Sequence, residues 1–405
     1  MKCLLALLFF VASGSSFAQT WAQLPKGVRA LGYRNVVTTP IKSNFNQFRS
    51  ETSLSTNFRV DAATLNQMAG NIIVPGQDVD RDAYNQLLVG EYGVDAQAKA
   101  NVHGFGLAYG LTDKIMLYGE IAYYNANVDA RIKRTRGNNF KQVEDYLRTK
   151  SNLSYNDKAL AELLARSPDI NENNIQSVIV NTYNYKPIGS WQGQGYGDME
   201  TGAMFKVIDK GTWGLQLYPG MILPTGTQDD PDILQDIGFG DGQFDFFGEL
   251  GTGYIVNDNL SFGTRLRYTY QAPTKKTLRI PHDRDFPLSA DKGQFNVKYG
   301  DRVNFMLNST LAFNDWFSLT PVYRYMYQMT SQYDSEYGVA NDYLSYNSDK
   351  QEHQVQLTAS LSSIQPFLKK KFVLPAQINF NVVQTVAGKN VPKVGRFEIE
   401  LRLIF

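Results

Sequence analysis

The chain has 405 residues, with 40 Lys plus Arg against 39 Asp plus Glu, 3 His and 1 Cys. These counts exclude a disulfide scaffold, a cysteine-based zinc module and a strongly basic nucleic-acid binder. With 24 Tyr, 24 Phe and 43% hydrophobic residues, wholesale disorder is excluded too, because disordered chains lack aromatic side chains.

In chain order, residues 1–18 read as an export signal. Lys2 gives a positive start and Leu4 to Ala12 a short apolar core. Ser16-Phe17-Ala18 then places small residues where a signal peptidase reads. The apolar run is about half of the ~20 residues a spanning helix needs, and no later segment approaches one. Cys3, the single cysteine, leaves with the signal.

A first strand is expected near Val28 to Val37, followed by a long segment, Thr38 to Gly93, with a short helical pattern at Ala62 to Met68. The next strand, Val94 to Gly110, changes phase near His103, which predicts a bulge. The segment Lys133 to Gly193 reads as helices. Asp157 is placed to cap a turn leading into Leu160, Leu163 and Leu164, and Ile175, Val178 and Ile179 repeat the spacing.

Beyond it the period is two. Leu260, Phe262, Thr264, Leu266, Tyr268, Tyr270 and Ala272 alternate with Ser261, Gly263, Arg265, Arg267, Thr269 and Gln271. The same pattern recurs over Phe317 to Met329, Val303 to Phe313 and Phe372 to Val382. Such segments run about 11 to 15 residues, above the ~5–6 typical of soluble strands and enough for the ~9–11 needed in lipid. Aromatics gather at both ends of the apolar face: Trp213, Trp316 and Phe317 beside short turns, Tyr268, Tyr270, Tyr323, Tyr325 and Tyr327 opposite. Two aromatic girdles around an aliphatic band belong to a transmembrane barrel.

The connections alternate in length. Short turns fall at 111–114, 208–211, 256–259, 314–315 and Lys369-Lys370-Lys371; longer segments fall at 133–193, 224–240, 273–293 and 331–350, with a brief one at 388–394. The expected fold is therefore all-β, a transmembrane antiparallel up-and-down barrel of about 12 strands with helical extracellular insertions and both termini periplasmic. Residues 19–405 form the barrel, and the segments 38–93 and 133–193 are either a lid for its mouth or a decoration packing on itself.

Face assignment points Asp198, Glu200, Lys206, Asp245, Glu249, Arg265, Arg267, Arg324, Glu398, Glu400 and Arg402 into the lumen, as a constriction or as paired structural charges. No cofactor or metal is expected. The acidic clusters 229–232 and 78–82 lack calcium-loop spacing, and His103, His282 and His353 are scattered. His353 and Ser360 fall on opposite sides of one strand, so a hydrolase is not expected, nor any other enzyme. The Gly-rich stretches 193–197 and 238–242 are followed by neither helix nor Lys, so they cradle no phosphate.

Two resemblances follow from short motifs. The chain ends on Leu401, Leu403 and Phe405 with an aromatic last, which resembles the C-terminal strand by which bacterial outer-membrane barrels are recognised for insertion. The order Gly197-Asp198, Leu223-Pro224-Thr225-Gly226, Gly238 to Asp241 and Asn257-Asp258-Asn259 resembles the outer-membrane proteins associated with the meta pathway of phenol degradation, which are related in style to FadL-like transporters of hydrophobic compounds. The match covers about Gly195 to Tyr270. It implies passage of small molecules of apolar or aromatic character through the outer membrane of a Gram-negative cell. The expected partners are outer-membrane lipid and lipopolysaccharide, the barrel-assembly machinery and an unidentified solute, with no nucleic acid. The alternative is a surface structural or adhesive protein whose barrel is only an anchor.

Overall fold

A computed structural model describes residues 23–69, 79–284 and 288–405; the expected export signal and Asp78 lie outside them. Among the described residues twelve strands close into an antiparallel barrel. They are β1 Arg29–Thr38, β2 Leu88–Thr112, β3 Ile115–Arg136, β4 Met199–Asp209, β5 Trp213–Leu223 and β6 Asp245–Asn257. The second half holds β7 Leu260–Gln271, β8 Arg302–Ala312, β9 Phe317–Gln328, β10 Lys350–Ser362, β11 Ala376–Lys389 and β12 Gly395–Ile404. Each strand pairs with its successor and β12 pairs with β1, so no edge is left open.

The wall separates two solvents because successive side chains point to opposite faces. Along β7, Phe262, Leu266, Tyr268 and Tyr270 are exposed outside, whereas Ser261, Arg265, Arg267, Thr269 and Gln271 are buried inside. β9 repeats this: Thr320, Val322, Arg324, Met326 and Gln328 are buried and Tyr323 is exposed. An outer face of Leu, Phe, Tyr and Val all round a closed wall would be unstable in water, and hydrocarbon is the solvent that suits it.

Three expectations need correction. No bulge interrupts the pairing of β2 with β1 at His103. β2 pairs with β1 in continuous register from Arg29↔Tyr109 to Val37↔Asn101, and Ala98, Ala100, Val102 and Gly104 all stay buried. Only the chemistry swaps faces there: Lys99, Asn101 and His103 stand on the outer face where the apolar band ends. The turn at Lys369-Lys370-Lys371 belongs to a longer connection that contains a helix, Ile364–Leu368, and β11 begins only at Ala376. Phe372 and Leu374 therefore lie in that connection, with Phe372 edge-on to Trp316 at 5.2 Å. In turn, β2 and β3 run to 25 and 22 residues, well beyond the expected length.

The chain divides into two compact units. One holds residues 23–53, Gln97–Val128 and Trp191–Phe405, and with them most of the barrel wall. At its short-turn end Leu24 is buried against Met116, Met204 and Tyr218. At its long-loop end a three-stranded sheet of Thr274–Arg279, Lys292–Lys298 and Gln332–Asp334 encloses Ile280, Phe295, Val297 and Ala340.

The other unit, Leu54–Ala96 with Asp129–Ser190, carries helices α1 Ala62–Ala69, α2 Arg81–Gln86, α3 Phe140–Arg148, α4 Tyr155–Arg166 and α5 Glu172–Asn181. Ser154, not Asp157, is the N-cap of α4. Asp157 sits three residues in and bonds back to the Ser154 N–H, closing a capping box, while its other oxygen accepts the Asp80 N–H at 2.8 Å. Leu160 and Leu164 are buried and Leu163 is exposed, as a 3.6-residue period requires.

Candidate functional site: the charged lumen

Inside the first unit, the wall strands bring acids and bases from distant parts of the chain to one level. Arg267 bridges two carboxylates, donating from Nη1 and Nη2 to Glu200 at 2.9 and 3.1 Å and from Nε to Glu249 at 2.7 Å. Arg265 reaches Glu249 from the next inward position at 3.3 Å, and Tyr118 donates to Glu200 at 3.0 Å. Strand register explains the cluster: Glu249 faces Arg267 across β6 and β7, with Arg265 two positions on. Arg267 also lies over the Phe247 ring at 4.1 Å. Gly220 leaves the space for that ring, which a Cβ there would invade.

A second group lines β12 and its neighbours. Arg34 of β1 and Arg402 share Glu400, while Arg396 donates to Glu398 at 2.6 Å. Asn379 and Asn381 of β11 donate to Glu400 and Glu398 at 3.3 and 3.2 Å. Asp245 takes Arg302 at 2.6 Å and Gln243 at 3.0 Å. Charges buried this deeply persist because each is paired and hydrogen-bonded.

Of the residues named from sequence, the structure brings Glu200, Asp245, Glu249, Arg265, Arg267, Arg324, Glu398 and Glu400 to buried inward positions. Lys206 and Arg402 are partly exposed toward the short-turn end, where Lys206 pairs with Asp209 at 3.3 Å. Asp198 does a different job. Its Oδ1 accepts the Gly226 N–H at 2.8 Å and its Oδ2 accepts the Asp241 N–H at 3.1 Å. Thr225 donates to the Gly197 carbonyl at 3.1 Å, and the Thr227 carbonyl takes Phe239 and Gly240 at 2.7 and 3.0 Å. The Gly-Asp, Pro-Thr-Gly and Gly-rich motifs thus fold together into one clamp, and the glycines permit its backbone crossing, since a Cβ on Gly226 would meet the Gly240 Cα at 2.6 Å. Burial raises the Asp198 pKa, and it pushes Asp241 up to about 7, assisted by the nearby charge of Asp245.

Sequence reading missed Arg34, Tyr118, Glu120, Arg302 and Arg396. Arg396 was within reach, since it extends the two-residue period of Glu398, Glu400 and Arg402. Arg34 and Glu120 lie on stretches with apolar residues on both faces, Val36, Met116, Ala122 and Tyr124 being buried and Leu31, Val37 and Leu117 exposed, so alternation is weak there.

The lumen holds a cavity of about 190 Å³. Its walls include Arg34, Glu120, Glu200, Arg267, Arg302 and Arg324, together with Tyr124 and Phe239, whose rings stack 5.2 Å apart and nearly parallel. Among the described residues no group of three or more His, Cys, Asp or Glu side chains could hold a metal ion. The acidic loop at 229–232 is partly neutralised, since Asp232 pairs with Arg279 at 2.6 Å and with Lys292 at 2.8 Å. Asp80 of the other acidic cluster pairs with Lys150.

No family model and no curated protein matches the chain. Among solved structures, an outer membrane channel from Pseudomonas putida F1 superposes with a TM-score of 0.54 at 12% identity, covering 98% of this chain and all of the other. The toluene transporter of Ralstonia pickettii covers 94% of this chain at 9% identity with a TM-score of 0.35. The Pseudomonas putida toluene transporter covers 94% at 11% identity and 0.31. The first of these shows the fold: an outer-membrane type of β-barrel, spanned by strands rather than helices.

Proposed function

We propose that this chain is a channel of the bacterial outer membrane that passes small molecules of apolar or aromatic character. One observation carries the reading: a closed wall with a lipid-compatible exterior encloses a cavity of about 190 Å³, the size of a single substituted aromatic ring. The fold shared with an outer membrane channel supports it. The short turns would then face the periplasm, and the terminal Leu401, Leu403 and Phe405 would serve the barrel-assembly machinery. The lipid-facing girdles would meet outer-membrane lipid and lipopolysaccharide.

The full chain, exported, purified in detergent and reconstituted into liposomes, is expected to admit small solutes at a rate proportional to protein. Vesicles as tight as protein-free controls toward benzene-sized solutes would overturn the reading.

A further inference from the structure

Five guanidinium groups and five carboxylates line the central cavity: Arg34, Arg265, Arg267, Arg302 and Arg324 against Glu120, Asp198, Glu200, Glu249 and Glu400. Nearly all are engaged. Arg34 and Glu400 share an ion pair, Arg265 and Arg267 are held by Glu249 and Glu200, Arg302 is held by Asp245, and Asp198 is held by backbone N–H groups. Two charges stand apart. Arg324 is 8% exposed, yet it forms no ion pair or side-chain hydrogen bond with a described residue, and its Nε is buried without a partner. Glu120, on the far side of the strand order, likewise has no such partner. An unpaired buried guanidinium is costly, and a fold that pairs its other lumen cations so thoroughly leaves this one open to a guest.

We propose that Arg324 and Glu120 form a binding site for a small organic acid with a ring-sized apolar body, carboxylate on Arg324 and a hydroxyl or other donor on Glu120. The guanidinium fork matches a carboxylate in two parallel hydrogen bonds, a geometry no lone lysine could supply. The Tyr124 and Phe239 rings and Met306 give the same cavity apolar wall for the body of the solute. A neutral hydrocarbon would leave both charges unsatisfied, so the site favours acids over their neutral isosteres. This names the solute class of the channel proposed above and rests on that reading for its physiological meaning; binding can be measured without transport.

The experiment is titration calorimetry of the detergent-solubilised full chain with 4-hydroxybenzoate, benzoate and benzamide. Expected affinities fall in that order, with at least tenfold between benzoate and benzamide. Arg324→Gln should erase the preference for benzoate over benzamide, and Arg324→Lys should restore part of it. Glu120→Gln should reduce only the advantage of the hydroxylated acid. Heat-modifiable gel mobility identifies folded barrels, so that a misfolded Arg324→Gln is replaced as the test by Arg324→Lys, which should weaken benzoate about tenfold. Equal binding of benzoate and benzamide by the native protein, or benzoate binding untouched by either Arg324 substitution, overturns the proposal. Solute-tight liposomes in the parallel flux assay would instead overturn the channel reading while leaving the binding result standing.

Discussion

Two stretches of the inner wall are built from different chemistry. From β4 to β8 the lumen is stitched by full charges, with Arg267 holding Glu200 and Glu249, and Arg302 holding Asp245. From β9 to β11 it is largely an amide and hydroxyl ladder: Thr320, Gln354, Gln356, Thr358, Ser360, Gln377, Asn379 and Asn381, all buried. Gln356 donates to Thr358 and Asn381 at 2.7 and 3.2 Å, and Gln377 donates to Asn379 at 2.9 Å. A charged wall fixes its geometry through a few strong interactions whose loss strands a partner. An amide wall distributes the same task over many weaker ones.

The difference predicts a gradient of mutational cost. Arg267→Ala removes three hydrogen bonds, leaving buried Glu200 with Tyr118 and buried Glu249 with Arg265, and should cost about 3 kcal/mol of stability, read by urea unfolding in lipid vesicles. A cost below that of an amide-wall substitution would erase the contrast. Gly220→Val should cost about 2 kcal/mol, because its Cβ would stand 2.7 Å from the Thr201 carbonyl oxygen and drive the Phe247 ring off the wall. Gln356→Ala should cost only about 1 kcal/mol by the same assay, since Thr358 and Asn381 keep their own bond at 2.7 Å.

The smallest effect concerns the loop clamp beyond the charged wall. Asp241 keeps its proton in the folded protein up to about pH 7, well above its unfolded value. Its contribution is therefore fully present near pH 4 and is lost as pH rises through 7. Hydrogen exchange over residues 225–243 should quicken between pH 5 and 8 beyond the intrinsic rate, and Asp241→Asn should remove that excess. An excess that survives Asp241→Asn would place the titration elsewhere.

How far the fold was legible depends on which solvent a residue meets. Strands such as β7 and β9 announce themselves because lipid outside and polar groups inside enforce a strict period of two. β2 misled at His103 because the outer face leaves the apolar band while the strand continues in unbroken register. The inward charges could be named one by one, yet their pairing could not be read, because Arg267 and Glu200 are 67 positions apart and meet only across the closed wall. The clamp role of Asp198 could not be read for a related reason: the loops that occupy its carboxylate return to it 28 and 43 residues later.

The central claim is that one wall faces hydrocarbon outside and a polar cavity inside. Because the mature chain is expected to carry no cysteine, single cysteines can be placed in turn from Phe262 to Tyr270, spin-labelled, and assayed in bilayers for collision with oxygen and with a water-soluble nickel chelate. Oxygen accessibility should peak at 262, 264, 266, 268 and 270 and drop at every position between. Equal nickel accessibility on both faces, with no two-residue period, would contradict the account.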